Sequence, residues 1–256
     1  MTPEPPPPEM IAPPESPAPP PPPPPERYPF WGYLDLAAFV MIAFLGLALD
    51  SLLANALLTV IHVKRLLIEI PAQFVYYAFL LGTLAVIFRR YYGQPFWYSM
   101  RWVPAGVSAS FLATSGILVA LGVMLASLLL KTPDINSPMK EYLSDRSTIL
   151  LIAVFGITVG PFCEEMLFRG FLQPLLVRSL GAAGGILLAA IPFGLLHLQE
   201  YGNSWRHGLL ITLAGAAFGW MRHRTGSTKA AVMMHAAYNC VFFLLLAVQQ
   251  VALHKG

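Results

Sequence analysis

The chain has 256 residues, 56% of them hydrophobic and only 11% charged, with a formal net charge of +3. A soluble domain carries about 25% charged residues, so this chain lacks the polar surface of a soluble globule and reads as an integral membrane protein. The small positive charge is spread over short loops, which argues against a nucleic-acid partner. The only two cysteines, Cys163 and Cys240, both lie in apolar runs. That excludes a disulfide framework and a Cys-x-x-Cys metal site. Cys163 adjoins Glu164 and could be taken for a nucleophile, but a buried free cysteine behaves as a small hydrophobe.

Residues 1–29 form a separate compositional segment. Sixteen of the 24 prolines lie there, seven of them unbroken at 19–25. Such a run is extended polyproline II or disordered, because it offers too little apolar surface to pack. It has no basic stretch followed by an apolar one, so it does not read as a cleaved signal peptide. It reads as a solvated tether, and the partner it would suit is a proline-binding module.

Residues 30–256 read as one transmembrane helical domain. Apolar spans are expected at about 34–61, 71–88, 104–130, from 148 through the pair Glu164–Glu165, 181–198, 208–221 and 230–251. The first exceeds the ~20 residues that cross a bilayer, so it is expected to tilt, to lie partly in the interface or to divide in two. The fold class is therefore an all-α polytopic bundle of seven to eight transmembrane helices. Residues 91–102 are aromatic and basic, as an interfacial segment should be. Residues 131–146 form the most polar loop after the tail, rich in turn formers. With the N-terminus in the cytoplasm, inside segments carry nine lysines and arginines against seven outside. That small bias favours a cytoplasmic N-terminus in a cell inner membrane.

Within this apolar background the stretch 160–170, GPFCEEMLFRG, is the exception. Glu165 and Arg169 stand four apart, share a helix face and can neutralise each other. Glu164 points about 100° further round and has no local partner. A carboxylate in hydrocarbon is costly, so it is expected to face the bundle interior and carry function. Three more polar residues interrupt later spans: His197, one turn after Phe193, and the pair His235 and Asn239, which share a face. Any one of them could be interhelical glue. Together they suit hydrolysis of an amide by water. A carboxylate and an imidazole can activate the water, while a second imidazole and a carboxamide can stabilise an oxyanion. Glu164, His197 and His235 are also acceptable ligands for a divalent metal such as zinc, with a position left for water. The same residues serve a bare Glu/His pair or a metal-bound water.

In order, EEMLFR, FGLLH and HAAYN resemble the Glu-Glu-x-x-x-Arg, Phe-x-x-x-His and His-x-x-x-Asn motifs of the CPBP family. These intramembrane proteases include the CAAX-processing endopeptidases and bacteriocin-processing relatives. The resemblance covers about 148–251. It implies that Glu164 is the base for water and His197 its companion, that His235 and Asn239 stabilise the oxyanion, and that Glu165 and Arg169 hold the architecture or the substrate's polar end. Phe193 would wall the cavity. It further implies a peptide or protein substrate at the membrane, lipidated in the CAAX-type members. A shared site requires the fourth helix to run on past Arg169 to about Arg178, so that Glu164 and His197 return to one depth. It also requires the loop before His235 to dip inward.

The absence of HExxH and of Gly-x-Ser-Gly separates the chain from other intramembrane proteases. Two other function classes remain. A proton-coupled transporter would string ionisable groups along the membrane normal and show repeated halves, and no internal repeat is present. A non-enzymatic scaffold would use the polar residues only as glue.

Overall fold

In the computed structural model, residues 27–133 and 146–253 are described. Most of the proline-rich segment and most of the 131–146 loop lie outside these residues. Every regular element among the described residues is helical. The first, α1 (Tyr33–Val60), is a single uninterrupted helix of 28 residues. Its start is fixed by the Asp35 carboxylate, which accepts the Gly32 backbone N–H at 2.8 Å. Then come α2 (Leu66–Tyr91), a single turn α3 (Phe96–Ser99) in the aromatic segment, and α4 (Ala109–Leu129). The Ser108 hydroxyl caps α4 by accepting from the Phe111 N–H.

A long broken rod follows. It consists of α5 (Arg146–Ile157), α6 (Val159–Glu165), a π-helical turn (Met166–Leu172) and α7 (Gln173–Leu196). The break between α5 and α6 falls at Thr158, three residues before Pro161, which has no N–H to give to the turn below. Within α7, Gly181 adopts φ 73°, ψ 174°, a conformation open to glycine and strained for other residues. The chain reverses there. Gly185 packs so closely that a Cβ on it would lie 2.4 Å from the Val177 backbone nitrogen. The rod is thus a hairpin whose second arm is 182–196. The turn comes three residues after Arg178, and the first arm does continue past Arg169.

After a 3-10 turn (Leu198–Tyr201) come α8 (Trp205–Thr225) and α9 (Thr228–Leu253). Five stretches are long and apolar enough to cross a membrane, one of them the 48-residue Ile149–Leu196. Dividing that one at Gly181 and adding α8 gives seven helices of near-spanning length. The apolar side chains of α1 face outward, and only Phe39 is buried along its whole length. Leu34, Phe44 and Leu52 are each at least 65% exposed, as lipid-facing residues of a membrane bundle would be.

Two apolar clusters flank the interior. One gathers Trp31, Phe39, Leu84, Phe88, Phe171 and Leu175 between the N-terminal segment, α1, α2 and the first hairpin arm. The other gathers Leu112, Phe218, Met221, Ala230 and Met234 between α4, α8 and α9. The α8–α9 turn is drawn inside: Ser227 and Thr228 are fully buried. Ser227 donates through its hydroxyl to the Val103 carbonyl at 2.5 Å, and Thr228 donates through its own to Met100 at 2.6 Å. That inward dip lets His235 reach the level of Glu164.

Candidate active site

The site forms where α6, the end of α7 and α9 meet. Glu164 is the last residue but one of α6, beside the π-helical turn, an irregularity often found where a helix presents functional groups. Glu164 Oε2 lies 4.0 Å from His197 Nε2 and 4.0 Å from His235 Nε2. The three groups that the sequence reading places in one site are brought together. Glu164 and His197 keep 19% and 20% side-chain exposure, while His235 keeps 5%. The acid and its first partner therefore remain accessible, and the second imidazole is packed away.

Each imidazole is held from behind. His197 Nδ1 lies 2.7 Å from the Phe193 carbonyl oxygen, which can only accept, so Nδ1 carries the proton. His235 Nδ1 lies 2.9 Å from Glu165 Oε1, and the same reasoning applies. In the neutral ring each Nε2 is then a bare lone pair facing Glu164 Oε2. Three acceptor atoms converge with no donor of their own. A gap of 4.0 Å is too long for a direct hydrogen bond and is of the width that a single bridging water would fill.

Glu165 is fully buried. Its Oε1 accepts from Arg169 at 2.9 Å as well as from His235, and its Oε2 has no hydrogen-bond partner among the described residues. Arg169 also donates to the Gly215 carbonyl at 2.7 Å and lies 4.4 Å over the Phe193 ring. The expected Glu165–Arg169 pair therefore exists and extends to a third member, since Glu165 orients His235 directly. Phe193 lies against both imidazoles, with ring centroids 4.7 Å from His197 and 5.9 Å from His235. Phe218 stacks on the other face of the site at 4.5 Å from His235.

Asn239 sits one turn beyond His235 and donates to the Gly156 carbonyl at 2.6 Å, next to the break at Thr158. No hydrogen bond joins it to the Glu/His group among the described residues. Cys163 is a buried free thiol. A group absent from the sequence reasoning is Tyr77 on α2, whose hydroxyl donates to Glu164 Oε1 at 3.1 Å. Nothing in the pattern of α2 marks it among the aromatic residues there.

Glu164, His197 and His235 are the residues a metal would use. As placed, their separations are wider than a tetrahedral ligand set, and no group of three or more His, Cys, Asp or Glu among the described residues is arranged to hold an ion. A lateral apolar cavity of about 460 Å³ opens between α4, α8 and α9, lined by Ser115, Trp220 and Met234 among others. It includes none of Glu164, His197 and Asn239.

These features define a polytopic helical membrane protein with an interior acid–imidazole centre. Residues 146–241 match the family model of the type II CAAX prenyl endopeptidase Rce1-like proteins, and that match supports a CPBP/CAAX protease assignment for this stretch, which is less than half of the chain. Neither the curated proteins nor the solved structures contain a match to it. The family supports CAAX-type intramembrane endopeptidase activity in general terms.

Proposed function

We propose that the protein hydrolyses a peptide bond of a membrane-associated substrate with water activated by Glu164 and His197. The observation that carries this reading is the convergence of Glu164 Oε2 with two imidazole Nε2 atoms whose Nδ1 protons are already committed. Of these, Glu164 Oε2 and His197 Nε2 suit a water, which has two hydrogens to give and a lone pair left for attack. One proton passes to Glu164 as the water oxygen adds to the scissile carbonyl, and Glu164 returns it to the leaving amine. His197 orients the water. His235, held through Nδ1 by buried Glu165, would stabilise the oxyanion by donating from Nε2 after that nitrogen has taken a proton from solvent. Asn239 uses one amide hydrogen on Gly156 and has a second for the same oxyanion.

The gathering of Glu164, Glu165, Arg169, His197 and His235 into one knot favours hydrolysis over a proton relay, whose groups would be strung through the bundle. The substrate class is a peptide or protein tail held at the membrane, lipidated as in the family's CAAX-type members. A cytoplasmic N-terminus fits the grouping of Arg101, Arg178 and Arg222 around Tyr28 and Pro29, and an inner-membrane setting belongs to the same proposal. No step is routed through a metal, and a proline-binding partner for the tail belongs to the same reading.

The test uses the full chain in proteoliposomes with membrane-anchored peptide substrates. Glu164→Gln should lower kcat/KM by roughly 10²–10⁴-fold, the range of general-base catalysis, while the melting temperature stays within a few degrees. Cleavage that survives this change rejects the assignment. Chelation followed by dialysis should leave activity in place, and loss restored by added zinc would reassign Glu164, His197 and His235 as metal ligands.

A further inference from the structure

We propose that Tyr77 is a positioning residue for Glu164, so that α2 completes a site whose other groups all lie within 146–241. A carboxylate turns freely about its last torsion, which has no sharp rotamer wells. Where Oε2 points must therefore be fixed from outside. The Tyr77 hydroxyl does this by donating to Oε1 at 3.1 Å, which leaves Oε2 toward the two imidazoles. The phenol is itself held: its ring lies parallel to Phe155, with centroids 6.3 Å apart and 9° between planes, and Phe155 meets Phe74 edge-on at 5.2 Å. The neighbouring Tyr76 points the other way and donates to the Ala43 carbonyl of α1. The selection of Glu164 is thus a property of one residue of α2, not of the helix's aromatic character.

A phenol buried in a bundle also needs an acceptor simply to be satisfied. The two roles separate in kinetics, because a positioning bond acts on the turnover step and leaves substrate affinity alone. This inference rests on Glu164 acting as the base, and the experiment is arranged so that the two can fail separately.

Tyr77→Phe keeps the stacked ring and removes only the hydroxyl. In proteoliposomes it should lower kcat about 10- to 100-fold, the effect of a misplaced catalytic group, with KM within about twofold of wild type. Glu164→Gln is measured beside it. If Glu164→Gln is inactive and Tyr77→Phe turns over at the wild-type rate, the positioning role is rejected and the protease reading stands. A defect of Tyr77→Phe confined to KM overturns it too, since the phenol would then be contacting substrate. Should Glu164→Gln remain active, the underlying reading falls and takes this one with it. A second readout does not depend on activity. With 3-fluorotyrosine at position 77, the fluorine resonance of the folded protein should move when Glu164→Gln is added. A resonance that stays in place shows that the phenol does not engage that carboxylate and ends the proposal.

Discussion

Glu164 and Glu165 are adjacent and chemically identical, yet the structure gives them opposite tasks. Glu164 is partly open and meets Tyr77 and two imidazoles, whereas Glu165 is sealed between Arg169 and His235. Their substitutions should therefore separate. Glu164→Gln should cost activity and leave stability nearly intact. Glu165→Gln leaves the Arg169 guanidinium, 1% exposed, without its counter-charge, and losing one partner of a buried pair costs about 3–5 kcal/mol. A thermal melt in detergent should show a fall for Glu165→Gln that Glu164→Gln lacks. Of this arrangement the sequence shows the part that a helix makes local. The Glu165–Arg169 pair follows from a spacing of four, and an unpaired Glu164 follows from the same wheel. His235 as the third member of that pair, and Tyr77 on Glu164, come from distant helices, and no periodicity carries such a contact.

At the level of elements, the hairpin and α8 pack through small residues. A Cβ on Gly194 would lie 2.1 Å from the Thr212 hydroxyl and 2.6 Å from the Gly208 carbonyl. A Cβ on Gly215 would lie 2.8 Å from the Arg169 guanidinium. Close backbone approach of this kind drives helix association where lipid gives no hydrophobic gain. Gly194→Ala should therefore lower stability by roughly 1–3 kcal/mol, the cost of overpacking, and reduce cleavage with it. Gly82→Ala meets nothing within 4 Å and serves as the control, with a melting temperature equal to wild type or slightly higher. The seven spans were readable because apolar length is a strong signal in a membrane protein. The π-helical turn and the break at Thr158 were not, since both are local departures that tertiary contacts stabilise. The bend was expected near Arg178, where charge marks a membrane edge, and occurs at Gly181, where the backbone needs a positive φ.

For the molecule as a whole, the N-terminal segment is tied to the rod that carries Glu164. Trp31 is fully buried, stacks on Phe171 at 5.5 Å and donates through its indole N–H to the Phe171 carbonyl in the π-helical turn. Trp31→Ala should cost about 3–5 kcal/mol, and because it loosens the turn that follows Glu164, unfolding assays and cleavage should decline together. The hairpin sets a further condition. Glu164 stands seventeen residues before Gly181 and His197 sixteen after it. Each added residue advances a helix by 1.5 Å and swings it by 100°. The bend thus acts as a common origin from which two ordinates are measured. Lengthening one arm by a single residue would put acid and imidazole out of step, whereas a displacement of the whole hairpin would carry them together. Descendants of this chain are held to that origin, and their two arms can change length only in concert.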